Sequence, residues 1–250
     1  MKRFFNKKRL DFMKKDKISD YLKYSLGEIL LIMLSILLAL KINNWNEDRK
    51  EENYLQEVYY QMHKDLRSDT LYANYVIDYY EKIILDLADI IDKKVSMAYF
   101  DTINANNYQN CSKCNCGLIV NHLFYNTDKG YKLYREINND QVDFGKDTLS
   151  QYLFYLYDGR ITNIKDFGKY LYRLSDEAIK DYQKYDWYSD VIVYNKTYDK
   201  EYLKYIYESK EHQQRSARYL YYSVQFVRML EDYKKRATQT LEILERKLDT

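Results

Sequence analysis

Residues Ile29–Leu40 read ILLIMLSILLAL, twelve in succession without a charge. A helix that spans a bilayer needs about 20 residues, and the flanks supply the missing length. Leu22–Ile42 gives 21 residues, or roughly 31 Å of helix at 1.5 Å each. Tyr21, Tyr24 and Trp45 stand where interfacial aromatics belong, and Lys23 and Lys41 can snorkel outward from the two ends. A cleaved signal peptide has an apolar run of similar length. No small-x-small cleavage site follows this one, however, because the chain continues Ala39-Leu40-Lys41-Ile42-Asn43-Asn44-Trp45. A buried core helix fits poorly with the basic block that precedes the run. The stretch therefore predicts an uncleaved, single-pass signal-anchor.

The charge distribution gives that anchor a direction. Residues 1–24 hold nine Lys/Arg against Asp11, Asp16 and Asp20, a net of +6. Beyond Lys41 there are 30 basic and 34 acidic residues, a net of −4. The overall +2 conceals this asymmetry. Lys/Arg excess stays cytoplasmic, so residues 1–21 are expected inside the inner (cytoplasmic) membrane and the C-terminal region in the periplasm. The basic residues between Lys2 and Lys17 also suit an anionic inner leaflet, at ~1 kcal/mol per residue near the surface. The mildly acidic remainder argues against nucleic-acid binding.

The stretch Tyr21-Leu22-Lys23-Tyr24-Ser25-Leu26-Gly27-Glu28-Ile29, followed by Ala39-Leu40, Asn43-Asn44-Trp45-Asn46-Glu47 and Arg49-Lys50, resembles the N-terminal signature of a bacterial family known as a domain of unknown function, number six-zero-nine-zero. The likeness covers residues 18–50, about an eighth of the chain. It implies a single-pass envelope protein of the Bacteroidota type with a helical exported part, and it brings no activity.

Composition points the same way about the fold. The chain has no proline, six glycines and 31 tyrosines among 250 residues, which favours long uninterrupted helices over a many-stranded sheet. The tyrosines read as packing aromatics. From Glu47 to Lys94 neither Gly nor Pro occurs. Leu55, Tyr59, Met62, Leu66, Asp69, Ala73, Val76, Tyr80, Ile83, Leu87 and Ile90 fill successive a/d positions, Asp69 being the one polar member. Residues 95–117 lose the period and read as a loop. Helical patterning resumes over Leu118–Asn138, with Gly130 a weak point, and again from Asp147, a candidate N-cap, to Tyr157. Asp158-Gly159 signals a turn, and Thr162–Tyr185 another helix. Residues 186–199 read as an ordered connection. A last helix runs from Tyr202 or Glu211 to Leu248, with Leu220, Val227, Leu230, Ala237, Leu241, Leu244 and Leu248 on its stripe and Ser223 and Lys234 as exceptions.

The predicted fold is all-α: one transmembrane helix (22–42) continuing into a long coiled-coil-like exported helix (43–94). The cysteine-containing loop (95–117) follows, then a helical bundle region (118–250) of shorter middle helices and a long C-terminal helix.

Two sets of residues stand out as sites. At 100° per residue Glu28, Ser35, Ala39 and Asn46 fall within roughly 20° of one stripe. An acid inside a span is a functional candidate by default, and Ser35-x-x-x-Ala39 permits close helix approach. The stripe is read as a transmembrane helix contact; the plainer reading is that Glu28 reaches back to cytoplasmic water. The second set is Cys111-Ser112-Lys113-Cys114-Asn115-Cys116 with His122. An oxidising compartment favours a disulfide there, with one cysteine of the three left over. The same four donors would suit a tetrahedral Zn²⁺, and a redox-active CxxC is the third option. His63, His122 and His212 are far apart and read as surface or packing residues, and no catalytic motif is present.

The sequence thus points to a non-enzymatic, membrane-anchored interaction or scaffold protein of the bacterial envelope, without a cofactor unless zinc sits at the cysteines. Its expected partners are the lipid bilayer and either a second copy or another envelope protein. The alternative is a sensor or regulatory subunit with an exported ligand-binding part. A metal-binding or redox protein using the cysteine cluster comes third.

Overall fold

The computed structural model describes residues 18–115, 118–119, 122–137, 147–194 and 198–249. Among the described residues seven α-helices follow in order: α1 Ile18–Ile91, α2 Met97–Asp101, α3 Lys129–Ile137, α4 Thr148–Phe154, α5 Ile161–Tyr182, α6 Lys200–Glu208 and α7 Lys210–Leu248. Short 3₁₀ turns lie at Tyr108–Asn110 and Ser112–Asn115, and π-helical turns at Tyr155–Arg160 and Tyr188–Val193. No strand occurs among the described residues, so the fold is all-α. The chain divides into two units, Met1–Leu55 and Gln56–Thr250.

In the first unit α1 turns its apolar side chains outward all round. From Leu22 to Trp45 its large apolar residues are between 52% and 63% exposed, so this part of α1 covers none of them. α1 carries the one segment among the described residues that is long and apolar enough to cross a membrane.

In the second unit the apolar stripe of α1 is buried as its 3/4 spacing requires. Tyr59, Met62, Leu66, Asp69, Ala73, Val76, Tyr80, Leu87 and Ile90 are all buried, and Ile83 is half-buried; Leu55, the last residue of the first unit, is half-buried too. α7 lies antiparallel to this stretch. Gln56 Nε2 donates to the Lys247 carbonyl at 3.1 Å, Tyr233 OH to Asp69 at 3.1 Å, and the Tyr80 and Phe226 rings meet at 5.2 Å. α5 packs against α7, and Ile164, Leu171, Leu174 and Ala178 are buried along it.

The termini of the helices follow local chemistry. α1 ends in a Schellman arrangement: Lys93 N–H donates to the Ile90 carbonyl and Lys94 N–H to that of Asp89, with Lys93 left-handed at φ 54°. Asp147 caps α4 by accepting from Ser150 N–H at 2.8 Å, Asp199 caps α6 from Tyr202 N–H at 2.8 Å, and Ser209 caps α7 from His212 N–H at 3.2 Å.

Three local expectations are corrected. Residues 122–128 are not helical; they run irregularly over α1, and α3 begins only at Lys129. Tyr72 OH holds the Leu123 carbonyl there at 2.8 Å, and Asp69 takes the Thr127 N–H, so α1 supplies the partners that a helix would otherwise supply. Asp158-Gly159 is not a turn but part of the π-helical passage between α4 and α5. Asp158 accepts from Tyr131 OH and lies 3.8 Å from Arg135. On α7 the buried stripe is His212, Ser216, Tyr219, Ser223, Phe226, Val227, Leu230, Tyr233, Ala237, Thr240 and Leu244, so Val227, Leu230, Ala237 and Leu244 are buried as expected. Three expected positions are displaced by one residue: Tyr219, Tyr233 and Thr240 take the seam, and Leu220, Lys234 and Leu241 flank it, while Phe226 is buried beside the expected Val227. The aromatic bodies fill more core volume than the neighbouring leucines.

Candidate functional site

On the first unit the expected contact stripe is laid out along α1. Glu28 is half-buried, and Ser35, Ala39 and Asn46 are exposed. The Ser35 hydroxyl donates to the Leu31 carbonyl at 2.7 Å, so it is satisfied inside its own helix. Asn43 is tied to Glu47 at 2.9 Å, one turn on. Trp45 is 63% exposed and Tyr24 partly so, at opposite ends of the apolar run. The side chain of Tyr21 lies outside the described residues. The feature that any function of this unit must accommodate is this run of uncovered apolar side chains.

The cysteine loop is closed covalently. Cys111 and Cys114 form a disulfide with Cα atoms 5.3 Å apart, and both are buried. Cys116 lies outside the described residues. His122 stands apart from the bond and packs edge-on between Tyr75 and Tyr79, ring centroids 5.2 and 4.2 Å away. Two of the four donors considered for zinc are thus joined to each other rather than available as thiolates. Among the described residues no group of three His, Cys, Asp or Glu side chains is placed to hold a metal ion. The loop is fastened to α1 through Lys113, which pairs with Asp89, and through Ser112, 3.0 Å from Asp86.

Two buried polar clusters went unread in the sequence. In the first, Asp65 and Asp69, one turn apart on α1, take backbone N–H groups at the entry to α3. Gly130 donates to Asp65 at 2.8 Å, and Thr127 to Asp69 at 2.9 Å. A carboxylate at a helix N-terminus satisfies orphan donors and complements the dipole. Gln61 secures Asp65 at 2.7 Å. Burial pushes the Asp69 carboxyl up to about 6, against hydrogen bonds from Thr127 and Tyr233 that hold it down. The polar Asp69 on an otherwise apolar stripe was the available signal.

The second cluster joins α5, α6 and α7. Asp181 accepts from Tyr205 OH at 2.6 Å, from Arg215 at 2.9 Å and from Lys184 at 2.9 Å. Burial alone would raise its pKa, but these three donors outweigh it and hold the carboxyl well below the usual range. Beside it His212 is fully buried, 3.2 Å from Tyr182 OH at Nδ1 and 3.2 Å from Ser216 Oγ at Nε2. Burial, with Arg215 nearby, drives the imidazole down to about 4, so it is neutral at pH 7. A serine against a histidine is the beginning of a nucleophilic pair. Here Ser216 is 1% exposed and Nδ1 faces a phenol rather than a carboxylate, so no substrate reaches the hydroxyl. The cluster welds three helices together.

No protein-family model matches this sequence, and no curated protein or solved structure shows significant similarity to it.

Proposed function

We propose that this is a membrane-anchored helical interaction protein of the bacterial envelope, with residues 1–21 in the cytoplasm, residues 22–42 in the membrane and the chain from residue 43 onward exported. The observation that carries the reading is the stretch from Leu22 to Trp45, whose large apolar side chains are all more than half exposed. Water would tax such a surface at roughly 25 cal/mol per Å², whereas lipid or a second apolar helix covers it at no cost. The +6 block at residues 1–24 sets the proposed orientation. A disulfide between Cys111 and Cys114 agrees with an oxidising compartment, and the likeness of residues 18–50 to an envelope family supports the same placement. The partner is a second copy of the chain or another envelope protein, reached through the anchor or through the helical unit.

Reporter fusions test the topology. A reporter active only outside the cytoplasm is expected to work after Thr250 and to fail before Ser19. The opposite pattern would overturn the orientation and the compartment argued for the disulfide. A chain recovered wholly in the soluble fraction would overturn the anchor itself.

A further inference from the structure

A cavity of about 450 Å³ opens between one face of α6 and the link that leaves α5, within the range of small-ligand sites. Glu201, Lys204, Tyr205 and Glu208 line it from α6, one helical face at i, i+3, i+4 and i+7. Tyr185, Asp186 and Trp187 line it from the link. Its floor is aromatic. Tyr185 and Trp187 stack at 5.0 Å with their planes 11° apart, and Tyr205 leans on both, 4.6 Å from Tyr185 and 5.4 Å from Trp187.

These rings are held in place before any ligand arrives. The Tyr205 hydroxyl is clamped to Asp181, itself fixed by Arg215. Trp187 is 6% exposed, wedged against Tyr182 and Tyr202. Binding therefore costs little side-chain ordering at the floor.

The rim is acidic. Asp186, Asp199, Glu201 and Glu208 face one ammonium, that of Lys204. Asp199 is engaged in capping α6. Asp186, Glu201 and Glu208 make no ion pair among the described residues. Aromatic faces carry a negative quadrupole and attract organic cations, and unpaired carboxylates around a concave wall add to that field. A neutral ligand would gain from the rings alone and leave the rim unused. We propose that this cavity is a binding site for a small organic cation, an alkylammonium group seated on Tyr185, Trp187 and Tyr205 with its charge toward Glu201 and Glu208. The proposal goes beyond the anchoring function and is independent of where the anchor resides, because binding is read on the full chain in a nonionic micelle.

Trp45 and Trp187 are the two tryptophans of the chain, so Trp45→Phe leaves Trp187 as the sole reporter. Its fluorescence is followed while choline is added, and in parallel 3,3-dimethylbutan-1-ol, the uncharged molecule of the same shape. The expected result is a saturable change with choline in the millimolar range or tighter, and none with the alcohol over the same range. The pair Glu201→Gln and Glu208→Gln lies on the surface and is expected to weaken binding about fivefold while the fold is kept. An equal response to the alcohol would show an apolar hollow without selection for charge and would overturn the proposal. So would the absence of saturation with choline up to roughly 100 mM, or binding that ignores both substitutions.

Discussion

Gly130 is seated directly on Met62: a Cβ built at residue 130 would lie 2.5 Å from the Met62 amide nitrogen and 2.7 Å from its Cα. The same approach lets Gly130 N–H reach Asp65 at 2.8 Å. α3 therefore crosses α1 at a point where only a hydrogen side chain fits, and the neighbour is backbone, which cannot swing aside. Gly130→Ala is expected to destabilise the chain by about 2 kcal/mol, as overpacked sites do, measured by the denaturant midpoint of the full chain in micelles. Gly159→Ala is the control. Its nearest atom would be the Phe154 carbonyl oxygen at 3.9 Å, so this change is expected to be neutral or to stabilise by about 0.5 kcal/mol.

Asp69 and His212 answer acid in opposite directions. Asp69 is raised to about 6 from 3.8 by burial, so the folded chain holds its proton more tightly than the unfolded chain does. Its contribution grows as pH falls from 6 to 3.8, by about 3 kcal/mol in total. His212 is lowered to about 4 from 6.5 by burial and the nearby Arg215. The unfolded chain accepts a proton there that the folded chain refuses, so this contribution is complete above pH 6.5 and is lost toward pH 4, again by about 3 kcal/mol. In the native chain the two slopes largely cancel. Asp69→Asn is expected to lose stability between pH 6.5 and about 4.5, and His212→Gln to gain it. Parallel slopes in the two variants would refute the assignment.

The same two clusters show how far sequence reading reached. The α1 stripe from Tyr59 to Ile90 was legible because apolar spacing and helix period coincide, and even Asp69 fell on it. On α7 the period was right, and the phase was off by one residue at Leu220, Lys234 and Leu241. Those three fit the apolar or heptad pattern, yet Tyr219, Tyr233 and Thr240 beside them are what the core buries, whereas Val227 is buried as its spacing implies. Residues 122–128 read as helix because their patterning is weakly periodic. What decides their course is Asp69 and Tyr72, about fifty residues earlier, a tertiary partnership that local pattern does not encode. The His212 network was equally hidden, because its members are spread over Asp181, Tyr182, Tyr205, Arg215 and Ser216. Of the sites named from sequence, the Cys111–Cys114 bond is formed, whereas His122 belongs to a tyrosine pair on α1.

The disulfide closes a very short loop, with a sequence separation of 3. Chain-entropy reasoning gives such a closure about 2 kcal/mol. Non-reducing mass spectrometry of protein taken from membranes is expected to find the bond between Cys111 and Cys114. Cys111→Ser with Cys114→Ser is expected to lower stability by about that amount without displacing α1 from α7, whose seam lies elsewhere. Three free thiols together with a stoichiometric metal would restore the zinc reading.

Self-association through the anchor gives the sharpest remaining test of mechanism. Ser35 already donates to the Leu31 carbonyl, so its hydroxyl needs no partner from another helix, and Ser35→Ala is expected to be neutral. Size is what matters on this stripe: Ser35→Leu and Ala39→Leu hold backbones apart and are expected to weaken association. Polar contacts between membrane helices average about 0.6 kcal/mol, so Glu28→Gln, which keeps the hydrogen bonding, is expected to be tolerated. Glu28→Leu separates two roles. It weakens association if Glu28 bridges to a second helix, and it favours insertion without other effect if Glu28 only reaches for water. Single cysteines placed along residues 28–46, in a chain lacking the native three, are expected to cross-link most efficiently at 28, 35, 39 and 46. A flat profile would make the anchor a passive tether and leave recognition to the second unit, where the aromatic cavity at Trp187 would be the first place to look.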